Sequence, residues 1–478
     1  MLFNSLTFLL FLPIVFAAYW SLRGSLRWQN ILVVVASYVF YGWWDWRFLL
    51  LIAFTTACSY ASGLLIAGSD SRRRKKFWMW LNIAINLGIL AIFKYFDFFA
   101  ANFAALLNSV GITVDGITLG LVLPVGISFY TFQALSYSID VYREKIKPTH
   151  DPVSFFAFIS FFPQLVAGPI ERAVNILPQF EHRRTFDYAM AVSGLRLMLW
   201  GFFKKTVVAD NLGPYVDSVF ANYETAGSLT LIGAALMFTI QIYCDFSGYS
   251  DIGIGTGRLF GIQLMRNFNL PYFSRSIGEF WRRWHISLTS WFRDYVYIPL
   301  GGSRVKSQKI ARNTLVVFLV SGLWHGAAWT FVAWGAYHAV LFIPGIMRGK
   351  KDMFKNSTVA ENRRWPSFYE SLLMGRTFLL VAIGWILFRS DSLSDAWTYI
   401  CHMFTRWNVH TPVEGKASFI WIAILLVAEW FSRHKESPLS FEGHGLMRYR
   451  IARWTVYWLI VVCIILFYRL QSFIYFQF

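Results

Sequence analysis

The sequence predicts an all-α, polytopic membrane protein of about 11–12 crossings plus re-entrant and interfacial helices. Three observations carry that prediction. Apolar runs of the roughly 20 residues that a bilayer requires recur from end to end. Of 478 residues, 56% are hydrophobic and only 15% charged, whereas an average globular chain carries roughly 25% charged residues. Clusters of Lys and Arg also fall in alternate connections, as the positive-inside rule requires, with the loop 391–416, which carries Arg406 and Lys416, the weakest fit.

The predicted crossings lie near 6–20, 29–45, 48–67, 77–99, 118–139, 189–208, 229–246, 313–329, 331–346, 372–388, 418–432 and 454–470. A further apolar stretch, 153–169, is interrupted by Pro163 and the Gly168-Pro169 break. It reads as a re-entrant segment, which lipid tolerates only where protein or a cavity covers the broken helix. No linker separates these segments, so the expectation is one membrane domain over 1–478, with 454–478 forming a last span and an aromatic tail.

The formal charge of +18 invites a nucleic-acid reading, but its distribution argues otherwise. Basic clusters recur at Arg23/Arg27, 72–76, 143–147, Arg183/Arg184, 258–312, 348–355 and 433–453, while 100–117 and 210–228 contain no Lys or Arg. Such a pattern sets topology and meets anionic lipid, and it places both chain termini outside. The first span lacks a basic segment before it, which favours a retained helix over a cleaved signal. Cys58, Cys244, Cys401 and Cys463 are scattered, giving neither a disulfide framework nor a zinc site. Neither a phosphate-cradling P-loop nor a dinucleotide fingerprint is present, which argues against an ATP-driven transporter.

The chemistry concentrates in two places. From Glu279 to about Val296, Phe280, Trp284, Leu288, Trp291 and Tyr295 recur at helical spacing and form one apolar stripe. Glu279, Arg283, Ser287, Ser290 and Asp294 line another face, and Pro299 with Gly301-Gly302 ends the helix. Such a helix belongs at a membrane interface, with His285 at headgroup level, or lines a wet cytosol-facing funnel. In the funnel reading Arg275, Arg282, Arg283, Arg293 and Arg304 attract a phosphate-rich donor, either coenzyme A or an acyl carrier protein.

The second place is Trp324-His325-Gly326, inside an apolar span. Counted from Asn313, His325 is about 18 Å along the helix, near the middle of a hydrocarbon layer of roughly 30 Å. Gly322 and Gly326 flank it and permit close approach of another backbone or a substrate. The plain alternative is small-residue helix packing around a neutral histidine. Ionisable groups at such depth are costly and mark functional sites. A histidine there suits a general base that helps an acceptor hydroxyl attack a thioester. No Ser or Cys nucleophile motif accompanies it. His338, on the return arm, is a weaker candidate.

Five segments, in order, resemble the membrane-bound O-acyltransferase family, specifically its bacterial alginate O-acetyltransferase branch. They are PVGISFYTFQALSYSIDVYR (Pro124–Arg143), FFPQLVAGPIER (Phe161–Arg172), YCDFSGYSDIGIG (Tyr243–Gly255), RNFNLPYFSRSIGEFWRRWHISLTSWFRDYVYIPLGG (Arg266–Gly302) and GLWHG (Gly322–Gly326). The resemblance implies that His325 is the catalytic histidine and His285 the second family histidine. It further implies a bacterial inner-membrane location, an acetyl-CoA or acyl-carrier thioester as donor with no permanently bound cofactor, and O-acetylation of an exported polysaccharide through periplasmic acetyltransferase partner proteins.

The chain ends Ser472-Phe-Ile-Tyr-Phe-Gln-Phe478. This is an aromatic belt at the outer interface, or it resembles the acyltransferase motif that ends small helper peptides of teichoic-acid D-alanylation. In that case Tyr475 is the implied acyl carrier. Five residues beyond Leu470 extend about 17 Å, enough to reach the middle of the bilayer. Two other classes remain open at this point. Broken helices and the Gly-rich 247–257 stretch also suit a transporter or flippase, and a non-catalytic scaffold of a polysaccharide export complex needs no reactive histidine.

Overall fold

The computed structural model describes residues 1–166, 168–347, 354, 357–409, 418–441, 445–469 and 471–474. Every regular element among them is helical. The chain forms two compact units, Met1–Gly194 with Thr256–Met265, and Leu195–Gly255 with Arg266–Phe478.

In the first unit, Leu6–Ser21, Leu26–Gly42, Phe48–Ala67 and Arg72–Leu90 follow one another, and the last continues through a π-helical turn into Phe96–Ser109. Their contacts are partly polar. Asn30 donates to the Phe180 carbonyl at 2.8 Å, and Asn82 donates to Ser138 at 2.7 Å. The re-entrant expectation fits the backbone here: helix Pro152–Ser160 stops at Phe161, and a single turn, Phe162–Leu165, follows. Phe155, Phe158, Phe161 and Phe162 are buried, and the Phe162 N–H released by the break donates to Ser37 Oγ at 3.0 Å. Protein thus covers the broken segment and satisfies its backbone.

In the second unit, Tyr188–Phe202 passes through a π-helical turn, Phe203–Ala209, into Asp210–Ala221, and the long helix Ser228–Leu259 packs beside it. The long helix runs through the Gly-rich stretch 247–257 without a break. Gly248 is there for close approach: a Cβ on it would lie 2.7 Å from the Gly201 carbonyl oxygen. The Gly-rich stretch therefore adds no broken helix to the transporter argument.

Helices Phe48–Ala67, Arg72–Ser109, Ser228–Leu259, Trp329–Met347 and Phe368–Arg389 are long and apolar enough to cross a membrane, and Leu6–Ser21 and Ser418–Phe431 are shorter apolar helices. The predicted crossing at 118–139 becomes a helix only from Ile127, and the expected loop 391–416 contains a helix, Leu393–Thr405. That helix docks on the start of the long one, with Tyr399 Oη donating to the Leu231 carbonyl at 2.8 Å.

Candidate active site

The region read as one helix from Glu279 to Val296 is two short helices, Ile277–Arg283 and Ile286–Phe292, followed by a π-helical turn Arg293–Tyr297. At the junction Trp284 is extended and His285 adopts the left-handed conformation, φ 44° and ψ 55°. A left-handed non-glycine residue costs about 1–3 kcal/mol, so surrounding contacts must hold it. They come from 267–269, outside the helix. Ile286 N–H donates to the Asn267 carbonyl at 2.8 Å and Asn269 N–H donates to the Arg283 carbonyl at 2.9 Å. The break lets Trp284 and His285, neighbours in sequence, both be buried. On a continuous helix they would point about 100° apart.

Asn267 is the centre of this arrangement. Its Oδ1 accepts from His285 Nδ1 at 3.1 Å, from Ser287 Oγ at 2.9 Å and from Ser287 N–H at 3.3 Å, while its Nδ2 donates to Ser250 on the long helix at 3.2 Å. An amide oxygen only accepts, so Nδ1 carries the His285 proton and Nε2 carries the lone pair. The imidazole lies edge-on to Phe246 at 4.7 Å between ring centroids. Asn267→Ala would leave buried donors unmatched at about 1–3 kcal/mol each. We expect that variant to show a clearly lower thermal midpoint in detergent and reduced activity. A wild-type midpoint would disprove this role.

His325 is the last residue of helix Ser307–His325, and Gly326 after it is extended. The helix begins six residues earlier than Asn313, so the imidazole sits at its end, about 27 Å along it, instead of about 18 Å. The ring is buried among Trp324, Trp334 and Phe388 at 4.9, 5.1 and 5.4 Å. Trp324 also meets His285 at 6.0 Å. One indole therefore separates the two histidines, which are 40 residues apart in the chain. The flanking glycines permit close packing: a Cβ on Gly322 would collide with the Phe331 carbonyl oxygen on the return helix, and one on Gly326 with the Phe331 ring. His338 is fully buried against Trp281 and Trp334, at 5.0 and 5.1 Å.

The arginines separate into two groups. Arg283 pairs with Glu279 at 2.7 Å, and Arg275 pairs with Glu279 at 3.1 Å and Glu370 at 3.4 Å. Arg282 is half-buried beside them. Arg293 is exposed and pairs with its neighbour Asp294 at 2.7 Å, and Arg304 is exposed. Arg293 and Arg304 are thus the two fully exposed members of the set. Arg275 and Arg283 hold the Ile277–Arg283 helix in place.

The tail turns inward. Phe473 and Ile474 are buried, and the Phe473 ring lies 4.8 Å from Tyr249 and 5.7 Å from Phe246, the ring that abuts His285. Ile474 N–H donates to Asp245 at 2.7 Å. Tyr475 lies outside the described residues. Asn267 lies within the matching segment Arg266–Gly302, but its role as the partner of His285 and that of Trp324 as the wall shared by both histidines emerge only from the fold. Sequence reasoning passed over Lys204 and Lys205, although two lysines inside a predicted crossing, 189–208, were a visible signal.

Two histidines, an amide that orients one of them and a chain end returning to the same rings thus meet in one buried cluster. Comparison with known proteins identifies the family. Residues 39–350 match the model of the membrane-bound O-acyltransferase family. The chain is 40% identical over 432 residues to a probable alginate O-acetylase of Azotobacter vinelandii, covering 90% of this chain and 83% of that one. It is 36% identical over 429 residues to a peptidoglycan O-acetyltransferase of Helicobacter pylori, covering 83% and 78%. Against a teichoic acid D-alanyltransferase of Streptococcus thermophilus it is 28% identical over 302 residues, covering 60% and 72%. With its helical build, its paired histidines and this extent of similarity, the chain belongs to the membrane-bound O-acyltransferase family and is an acyltransferase.

Proposed function

We propose that this single domain, 1–478, takes an acetyl group from a cytosolic thioester, acetyl-CoA or an acyl carrier, and delivers it across the bacterial inner membrane. The acceptor is a hydroxyl of an exported cell-envelope polysaccharide such as alginate, reached through periplasmic acetyltransferase partners. The observation that carries this reading is the meeting of His325, Trp324 and His285 in one buried cluster to which the tail returns. Arg282, Arg283, Arg293 and Arg304 would face the donor. The exposed pair, Arg293 and Arg304, is available to its phosphates, and Arg282 and Arg283 shape the wall behind.

His325 acts as general base. In the direct route it takes the proton of the acceptor hydroxyl as that oxygen forms its bond to the acyl carbon and the thiolate leaves. In the relayed route the Tyr475 phenol attacks first, giving an acyl-tyrosine and a free thiol. The sugar hydroxyl then attacks the acyl-tyrosine and regenerates the phenol. A thiol has a pKa near 8.5 and a phenol near 10, so the aryl ester stays activated towards a sugar hydroxyl. The lone pair on His285 Nε2 supplies a second acceptor nearby. Both termini would lie on the outer side.

The deciding experiment measures ester-linked acetate on the host's exported polysaccharide in wild type, a deletion strain and His325→Ala at matched membrane abundance. Loss in both strains supports the proposal. Acetate kept in the deletion strain would sink it, and acetate lost in the deletion but kept in His325→Ala would make the protein a scaffold or channel. Tyr475→Phe should lose most activity if the relay operates, and full activity in that variant leaves only the direct route.

A further inference from the structure

The π-helical turn Phe203–Ala209 carries Lys204 and Lys205, both buried. In an α-helix consecutive residues point about 100° apart, yet both ammonium groups reach the same long helix. Lys204 meets Asp251 at 2.7 Å, and Lys205 meets Asp245 at 2.6 Å. Lys205 also meets Asp210 at 2.7 Å. The side chains of Lys205, Asp210 and Asp245 are 2%, 2% and 3% exposed. Burying such charges costs several kcal/mol per ion unless they are paired and fully hydrogen-bonded.

The pairing among these three side chains leaves capacity over. An ammonium has three donors and a carboxylate several acceptor sites. Lys205 Nζ directs a further N–H towards the main-chain oxygens of Gln471 and Ser472, each at 3.5 Å. Asp245 takes Lys205 on one oxygen and Ile474 N–H on the other, the latter at 2.7 Å. The last four described residues therefore contribute both carbonyls and an amide to the buried ions. Phe473 then lies over Tyr249 and Phe246, on the same face of the long helix as His285.

We infer that Lys205, Asp210 and Asp245 form a buried ionic clamp that grips the main chain of 471–474 and so fixes how the chain end approaches the histidine cluster. They are positioning residues, and because they bind backbone the grip does not depend on which side chains the tail carries. The clamp deepens the acyltransferase reading and rests on it only for the consequence that releasing the tail lowers transfer.

The test reads tail docking without acyl transfer. In the full-length protein in native membranes, Cys58, Cys401 and Cys463 are replaced by Ala and Ile474 by Cys. The buried Cys244 remains as a control for the fold of the long helix. A membrane-permeant maleimide should label position 474 slowly. Labelling should be at least about tenfold faster once Lys205→Met, Asp210→Asn and Asp245→Leu are combined, because a local opening has become easier, while Cys244 stays protected. The combination replaces the ions by groups of similar volume, a change that buried ion clusters often tolerate. If Cys244 also becomes reactive, Asp245→Asn decides: it keeps an acceptor for Ile474 but weakens the hold of Lys205, so severalfold faster labelling is expected. Unchanged labelling at 474 overturns the clamp.

Acetate on the polymer, measured in the same strains, separates two failures. Absence even with the native sequence would sink the acyltransferase reading and leave the labelling result standing. Wild-type acetate with a released tail would overturn the clamp as a positioning device.

Discussion

Replacing His325 by Ala is expected to lower acetyl transfer by about 10²- to 10⁴-fold, the usual contribution of a positioned general base. The residue is buried among Trp324, Trp334 and Phe388, so removing it also empties part of an aromatic cage. A packing role and a chemical role must therefore be separated. His325→Gln retains much of the volume and hydrogen-bonding capacity but cannot exchange a proton near neutrality. If the role is chemical, both variants lose transfer while the thermal midpoint of the Gln variant stays close to wild type. If His325→Gln transfers acetate at more than about a tenth of the wild-type rate, the base assignment fails. His285 offers a contrast. It is tied to Asn267, Ser287 and Ser250 through one amide, so its replacement should lower stability together with activity.

The largest stability effect is expected at Gly322 and Gly335. Added Cβ atoms would lie 2.2 Å from the Phe331 carbonyl oxygen and 2.3 Å from the Phe318 carbonyl oxygen. Both obstacles are backbone, so no side chain can rotate away and the two arms of the Ser307–His325 and Trp329–Met347 hairpin must separate. Overpacking of this kind costs about 1–3 kcal/mol, occasionally more. Because His325 ends one arm and Trp334 lies on the other, separation also pulls apart the cage around the imidazole. Gly322→Ala and Gly335→Ala should thus accumulate poorly in the membrane, melt early and transfer little. Gly375→Ala is the matched control. It lies in helix Phe368–Arg389 with nothing within 4 Å of its added Cβ, so the change is expected to gain about 1 kcal/mol from the greater helix propensity of Ala rather than to lose stability. Equal abundance and melting of Gly322→Ala and Gly375→Ala would refute the close approach.

The carboxylates in the second unit bear on the transporter alternative. Asp251 is paired with Lys204, and Asp210 and Asp245 are paired with Lys205. Glu429 accepts from Tyr243 Oη at 2.7 Å. An ion-coupled transporter needs groups that exchange their partners along a path. Here two of the pairs are locked into helix packing, and Asp245 additionally holds the chain end.

Hydropathy and charge periodicity were enough to read the helical class, the membrane setting, the interrupted apolar stretch 153–169 and a histidine inside an apolar span. These are properties of local composition: an apolar run, a proline or an imidazole inside an apolar segment has the same meaning whatever it later packs against. The stripe through Phe280, Trp284 and Tyr295 misled for a complementary reason. Its spacing is helical, but the break at Trp284-His285 is sustained by hydrogen bonds from 267–269, and no local window contains them. The indole that His325 shares with His285, the pairing of Lys204 with Asp251 and of Lys205 with Asp245, and the inward turn of Phe473 are likewise contacts between residues far apart in the chain. The sequence by itself determined which groups this protein has to bury. Only the tertiary structure decided how each was satisfied, because a buried polar group is stable only when a specific partner, often hundreds of residues away, completes its hydrogen bonds.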